Sequence, residues 1–516
     1  MTPILSEAGG FDDSRAPRSS RRSERQRRAA ASARLSTSSA GSAGLPKSYV
    51  VVCRSGHTGR VSSPALVWFR RDLRLQDLPT LLSAADTADS AAAVFVLDDR
   101  LLRPCPRTAF LLRCLRAFDD DLDGRLLVVR GDPVTVIPRL ARDLDAASVH
   151  LSADYAPYGS RRDRAVEDAL GDVPLVRTGS PYAVSPGRIL KGDGSPYRVF
   201  TPFRKAWLEH GWRAPARTGA STVAWIDPDG VDGRTSIPAD DDSLGVALPP
   251  AGEAAARKRW QQFRDDALDR YDSDRDRPDL DGTSRLSPYL KFGCVHPRTL
   301  LHDLRDRSDP GATTLRSELC WRDFYADVLH HRPDTARRNY NDRFDNIRYD
   351  TGPEADRAFT AWKQGRTGFP IVDAGMRQLL AEGWMHNRVR MIVASFLTKD
   401  LHLPWWWGAR HFMDHLVDGD LASNQHGWQW TAGCGTDAAP YFRVFNPTTQ
   451  GEKFDPTGDY VRRWVPELRG IPGKGVHRPP TGTSPNGSSP GYPDPIVDHT
   501  HERQVALARY GEIARR

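Results

Sequence analysis

Between Glu382 and Phe454 the chain interleaves six of its fourteen tryptophans with Asn387, Arg388, Arg390, Asp418, Asp420 and Asn424. Indoles are bulky and carry an N–H that needs a partner when buried. Carboxylates and guanidinium groups are rarely buried unless paired. The mixture points to a large planar ligand in a polar pocket with oxidisable rings around it. The competing reading is a helical core with surface charges. Residues 383–401 (GWMHNRVRMIVASFLTKDL) read as one helix. On it Trp384, Asn387 and Met391 share a stripe flanked by Arg388 and Arg390. Asn in such a stripe demands specific partners, and Met is an adaptable contact for an irregular ligand.

A second constellation, GTSRLSPYLKFG (282–293), has the make-up of a phosphate cradle. Ser287 reads as a hydroxyl N-cap with Pro288 at the first helical position, and free N–H groups at such an end attract anions. Thr283, Ser284 and Arg285 add two hydroxyls and a guanidinium; a plain capped helix fits the same residues. Tyr271 and Arg275, four apart on the preceding helix, share a face. VDGDLASNQHGWQW (417–430) sets Asp418 and Asp420 around Gly419. Asp420 can cap the next helix, and no metal is expected because no further ligands follow at loop-type spacing. Trp428 and Trp430 serve different helix faces. Trp405, Trp406 and Trp407, each about 100° from the next on a helix, cannot all be buried.

The elements that must position these residues fall into two patterns. From Ala65, short apolar runs read as buried parallel strands at 65–69, 92–97, 125–131 and 147–153, separated by helical stretches such as 107–122 and 133–144. The pattern predicts an α/β, doubly wound parallel-sheet domain over 63–212. No G-x-G-x-x-G follows the first strand, so a redox cofactor is expected elsewhere. Residues 213–250, rich in Pro, Gly and Asp, read as an interdomain connection. An all-α domain is expected over 251–516, helical to about 468, then loop over 473–493 and a last amphipathic helix at about 500–514.

Charge is unevenly placed. Residues 1–62 hold eleven Lys/Arg against four Asp/Glu, which accounts for the whole formal charge of +7. Nucleic-acid binding would therefore require positive charge gathered on one face of a neutral body. The Ser-, Arg- and Ala-rich opening reads as a disordered tail, with an organelle transit peptide as the alternative. The six cysteines show no C-x-x-C pair, which argues against a disulfide framework or zinc site and for the reducing cytoplasm. No apolar run approaches a membrane span, and a monomer is expected.

These residues resemble the cryptochrome/photolyase family over nearly everything from Leu66 to Tyr510, including WFRRDLRLQD (68–77) and DYAPYGSRRD (154–163). WMHNRVRM, ELCWRDFY (318–325) and TDAAPYFRVFNPTTQGEKFD (436–455) are most similar to class I cyclobutane pyrimidine dimer photolyases. Six-four photolyases have a different, His-containing version of the WMHN helix, and Met391 argues against that branch. The resemblance implies FAD in the all-α domain, contacted by Tyr271, Thr283, Ser284, Arg285, Leu286, Ser287, Trp321, Arg390, Asp418, Gly419, Asp420 and Asn424. Asn424 would lie near flavin N5, and Arg390 would pair with Asp418 beside the ring. A dimer flipped from ultraviolet-damaged DNA would rest against Glu318, Trp321, Asn387, Met391 and Trp430, with Arg322 and Tyr325 nearby. Arg275, Arg388, Arg443, Gln450 and Lys453 would hold the DNA backbone.

The implied reaction is blue-light-driven: excited reduced FAD lends an electron to the dimer, the ring splits, and Glu318 stabilises the transient charge by a hydrogen bond. Oxidised flavin would be rereduced through Trp428 and Trp405. The family's third tryptophan falls in FDNIRYDTGPEAD (344–356), which has none; Tyr349 is the nearest aromatic there, and Trp406 or Trp407 offers another exit. Leu78 stands where the family usually has Asn, and Gln425-His426 replaces a small, polar pair before Gly427. DYAPYGSRRD resembles members that use an 8-hydroxy-5-deazaflavin antenna more than those that use methenyltetrahydrofolate. The rival reading is a cryptochrome, a light sensor that signals through a partner. The substrate-side residues argue against it, as they do against a generic electron-transfer flavoprotein.

Overall fold

The computed structural model describes residues 63–438, 440, 443–480 and 491–515. The expected tail at 1–62 and part of the loop at 473–493 lie outside the described residues. Five parallel strands, β1 (Ala65–Phe69), β2 (Ala91–Leu97), β3 (Leu126–Arg130), β4 (Ser148–Leu151) and β5 (Leu175–Arg177), form one sheet in the order β3-β2-β1-β4-β5. The first four match the apolar runs, because a strand covered on both faces must be apolar throughout. β5 is too short and too exposed to stand out in sequence. The crossover helices Pro79–Thr87, Pro106–Asp121, Pro133–Asp143 and Pro157–Leu170 each open on proline. Proline is pre-organised there, and its missing N–H would have been unpaired anyway.

The chain reverses direction across the sheet between β1 and β4, the switch point of a doubly wound fold. The residues leaving β1 reach far. Arg70 pairs with Asp163 at 2.6 Å, and Arg71 pairs with Asp420 of the helical part at 2.7 Å.

Residues 213–250 are irregular, as expected, but do not hang free. Thr235 N–H donates to Val128 O, and Val129 pairs antiparallel with Arg234, so the segment covers the edge strand β3. The Phe200–His210 helix, on the sheet side of the expected boundary, stacks Phe200 on Trp321 at 3.5 Å.

Past residue 251 the described chain is helical. Pro310–His331, capped by Asp309, is its axis: from Leu319 to Leu329 every residue is buried. The expected helix at 383–401 is shorter. Gly383, at φ +60°, ends the Pro370–Glu382 helix, and His386 caps a new one, Asn387–Ser395. A wider turn, Phe396–Asp400, follows. Trp384 therefore precedes the helix and does not share its stripe. No described helix is long and apolar enough to cross a membrane.

Candidate functional site

Three helices (Tyr271–Asp274, Pro310–His331 and Asn387–Ser395) and three short segments (around 283–287, 384–385 and 418) close around one cavity of about 470 Å³, its open mouth included. Tyr271 and Arg275 line one side, and Arg275 lies over the Tyr271 ring at 5.9 Å, the shared face expected from their spacing. Thr283, Ser284, Arg285, Leu286 and Ser287 form the next wall. Here the capping differs from expectation. The helix is Ser287–Phe292 with Leu286 at the N-cap and no side-chain cap bond. Ser287 instead hydrogen-bonds Asp418, and its segment lines the cavity. Arg285 takes φ +50°, a conformation that side chains other than glycine seldom adopt. Its guanidinium lies 4.3 Å over the Trp384 ring. Trp384 and Met385 also line the cavity; sequence reasoning assigned neither a role, although an indole beside a cradle of arginine and hydroxyls was a usable signal.

Arg390 and Asp418 complete the wall as a buried pair, with Nη2 to Oδ2 at 2.9 Å and Nη1 to Oδ1 at 3.4 Å. Arg390 Nε also donates to Met385 O at 2.8 Å. Burial pushes the Asp418 carboxyl up, but the Arg390 charge, with hydrogen bonds from Arg390 and Ser287 among the other contributions, outweighs this and holds it below the ordinary carboxylate range. Glu318 lines the cavity opposite Asn387, 1% exposed and 2.6 Å from Arg275 Nη1. Burial pushes its carboxyl up to about 7 against the pull of Arg275.

The protein is similar to two family models, one described as DNA photolyase over residues 65–220 and one as the FAD binding domain of DNA photolyase over 314–512. It is 43% identical to a deoxyribodipyrimidine photo-lyase of Streptomyces griseus over 86% of this chain and 98% of that protein. It is 38% identical to that of Escherichia coli over 87% and 99%. The chain belongs to the DNA photolyase family. Its fold matches a bacterial class III photolyase from Agrobacterium tumefaciens with a TM-score of 0.81 at 36% identity, covering 90% of this chain and 100% of that one. A Synechocystis cryptochrome matches with a TM-score of 0.77 at 28% identity, covering 87% and 100%.

For a photolyase-family chain, several expected contacts sit elsewhere. Asp420 caps the Leu421–Ala432 helix through Ser423 N–H and pairs with Arg71, so it ties that helix to the sheet and is absent from the cavity wall. Gly419 packs beside it; an added Cβ would lie 2.8 Å from Arg107 Nη1. Trp321, Tyr325, Met391 and Trp430 are buried and are not among the residues of this cavity wall. Tyr325 stacks on His426 at 5.4 Å. Arg322 donates to Pro181 O and Leu290 O, which makes it an interdomain tie and not a DNA contact. Arg275 is the counter-ion of Glu318 and not an open phosphate clamp. Arg388 pairs with Asp276 at 2.5 Å and covers the Phe454 ring. Lys453, on the Pro447–Phe454 helix with Gln450, is exposed, and Arg443 is half-buried.

The expected redox residues do cluster. Trp428 is buried against Phe412 at 5.0 Å and Trp362 at 6.1 Å. Its ring lies on Gly408, where an added Cβ would come within 2.1 Å of it. Trp405 is fully buried and donates to Asn339 Oδ1 at 2.9 Å. Trp406, 39% exposed, touches Trp405 at 5.9 Å and Tyr349 at 5.2 Å. Tyr349 is half-buried, and burial pushes its phenol above the ordinary range.

The residues present fit FAD. The hydroxyls of Thr283, Ser284 and Ser287 and the Arg285 guanidinium, all on the cavity wall, suit a pyrophosphate. The Arg390–Asp418 pair and the buried Asn424 Oδ1, which has no partner in the protein, suit a polar ring.

For a Glu318 that donates its proton to the dimer, the raised carboxyl predicts a pH dependence. Below about 7 the carboxyl keeps a proton to donate; above it the group is ionised. Dimer repair per absorbed photon should fall as pH rises through 7, and Glu318→Gln, which keeps an N–H donor, should flatten the profile. Glu318→Ala should lower repair by about ten- to a hundredfold, the scale of one hydrogen bond to a charged group, about 1.5–3 kcal/mol. The stability linkage runs the same way. A carboxyl raised in the folded state contributes fully below its unfolded pKa and loses that contribution as pH rises through the folded one.

Proposed function

We propose that this chain is a deoxyribodipyrimidine photo-lyase that splits cyclobutane pyrimidine dimers in ultraviolet-damaged DNA under blue light. The observation that carries this reading is the meeting of Glu318 and Asn387 with the Tyr271, Thr283–Ser287 and Arg390–Asp418 walls around one cavity. Bound FAD would supply light absorption and one-electron chemistry. The chain's own residues do the rest. Thr283, Ser284, Arg285 and Ser287 bind the phosphates. Arg390 and Asp418 orient the ring system. Arg275 holds Glu318 in place, and Glu318 keeps a proton where charge develops on the extruded dimer. Gln450 and Lys453 lie on one short helix, and with Arg443 they offer phosphate contacts that position the duplex.

Trp428 and Trp405 serve as the inner members of an indole relay, with Trp406 as its outer member in place of the tryptophan missing at 344–356. A second chromophore of the 8-hydroxy-5-deazaflavin type is favoured by DYAPYGSRRD, part of which forms the helix after β4. The protein works as a cytoplasmic monomer.

The test is repair itself. Purified protein with reduced flavin should restore thymine absorbance in irradiated DNA under blue light and not in the dark. Equal recovery in the dark, or none in the light with reduced flavin bound, overturns the reading; light-dependent flavin changes without repair would indicate a sensor.

A further inference from the structure

Outside its first 62 residues the chain carries no net charge, so a nucleic-acid surface needs positive charge gathered on one face. The segment that follows β5 gathers it. Residues 188–205 hold five Lys/Arg (Arg188, Lys191, Arg198, Arg204 and Lys205) against a single carboxylate, Asp193. Leu190 pairs antiparallel with Pro196, and Lys191 N–H donates to Ser195 O at 2.9 Å, so the chain makes a short hairpin. Lys191 opens its turn, and the pairing brings Arg188 and Arg198 to the same end of it. All three are exposed, and none forms an ion pair among the described residues. Asp193 is engaged within the turn, where its Oδ1 accepts from the Ser195 N–H at 2.9 Å and the Ser195 hydroxyl at 2.7 Å.

The hairpin is anchored on the helix that carries Glu318. Val184 N–H donates to Asp323 Oδ2 at 2.9 Å and Gly187 N–H to Asp327 Oδ1 at 2.7 Å, both buried carboxylates of the Pro310–His331 helix. On its other side Arg198 O accepts from the Thr436 hydroxyl at 2.6 Å, and Phe200 N–H donates to Asp437 Oδ2 at 3.0 Å. These two bonds join it to the chain a few residues before Arg443. Phe200 also stacks on Trp321, which follows Glu318 of the cavity wall by three positions and so shares its helix face. Three exposed cations are thereby fixed to the scaffold of the cavity, with no protein carboxylate paired to them.

We propose that this hairpin is a DNA-contacting arm of the sheet part: Arg188, Lys191 and Arg198 take phosphates of the duplex and position it without reading sequence or damage. The inference rests on the reading of the chain as a DNA-repair enzyme and adds to its contacts at Arg443, Gln450 and Lys453. A solvated charged face is the alternative, and counterion release distinguishes the two. A cation that neutralises a phosphate steepens the salt dependence of binding, and a merely solvated one does not. A hairpin pinned on both sides also loses little freedom when it binds.

The test uses the full chain with bound FAD. Binding to an undamaged duplex, and to the same duplex after ultraviolet irradiation, is measured between about 50 and 200 mM salt. The variants are Arg188→Gln/Lys191→Gln/Arg198→Gln and Lys191→Glu. Arg125→Gln/Arg130→Gln, beside β3 at the opposite edge of the sheet, is the control. Each lost phosphate contact lowers the slope of log affinity against log salt by about 0.9. The triple variant should therefore lose about 2.7 in slope, so that across this range the parent loses about fortyfold more affinity than the variant does. The change should be equal for both duplexes, Lys191→Glu should lower the slope by about 0.9, and the control should keep the parental slope. FAD content and thermal midpoint, which a structural role would move, should stay parental. An unchanged slope in the FAD-loaded triple variant overturns the proposal, as does an equal fall in the control or a loss confined to the irradiated duplex. If the triple variant does not load FAD, an unchanged slope in Lys191→Glu overturns it. A parent that binds undamaged duplex but repairs nothing sinks the repair reading alone, and the slopes still decide the arm. A parent that binds no DNA sinks both.

Discussion

Trp428→Phe should reduce light-driven reduction of the bound oxidised flavin to background, while repair by chemically pre-reduced protein stays close to the parent. The two activities separate because the electron used in repair would come from the flavin itself, whereas the relay would only refill an oxidised flavin. Trp428 follows Asn424 by one helical turn, so the two share a face of the Leu421–Ala432 helix. Phenylalanine keeps most of the contact with Phe412 and Gly408 but is much harder to oxidise. The measurement is the bleaching of oxidised flavin absorbance under blue light with an external thiol donor, beside a repair assay on dithionite-reduced protein. Loss of both activities together would mark Trp428 as a packing residue whose truncation leaves a cavity. The outer end of the relay is read in the same assay. Trp406→Phe should slow photoreduction strongly and Tyr349→Phe little, since burial makes loss of the Tyr349 phenolic proton difficult. The reverse order would restore Tyr349 as the terminus.

Asp418→Ala should be the most damaging single change in the cavity wall. It leaves the Arg390 guanidinium buried without its carboxylate, at a cost of about 3–5 kcal/mol, against a typical total stability of about 5–15 kcal/mol. The expected result is protein without flavin and with a sharply lowered urea midpoint. Replacing both partners, with Arg390→Met and Asp418→Leu together, should recover much of the midpoint, because no charge is then stranded. Flavin binding should stay lost in the double variant. If the double variant is no more stable than Asp418→Ala, the pair is not the source of the effect. If flavin binding returns with it, the pair does not orient the ring.

Much of the molecule was legible in the chain alone, and the reasons differ by element. Strands β1 to β4 declared themselves because burial on both faces forces continuous apolar runs. The exposure of one indole in Trp405–Trp407 followed from helical geometry, and Trp406 is the one that emerges. Tyr271 and Arg275 share a face because four residues make one turn. The Thr283–Ser287 segment, Arg390, Asp418 and Glu318 were identifiable by type and by resemblance, and the fold brings them to one cavity.

What side chains do across long sequence distances was not legible. Nothing local to Asp420 reveals Arg71, which lies 349 positions away and makes it a tie between sheet and helices. Nothing local to Arg275 reveals Glu318, so a presumed phosphate clamp becomes a counter-ion. Arg322 and Arg388 changed roles for the same reason: a guanidinium in sequence is only a charge, and its partner decides whether it meets solvent, a carbonyl or a carboxylate. Helix ends also escaped the pattern, since the break before Asn387 rests on Gly383 at positive φ and on the His386 side chain. Local periodicity and residue type therefore determined the layers, and family resemblance named the residues, part of which the fold gathers at one cavity. Tertiary structure alone decided the pairing of its charges, because hydrogen bonds and ion pairs depend on distances that the order of residues does not contain.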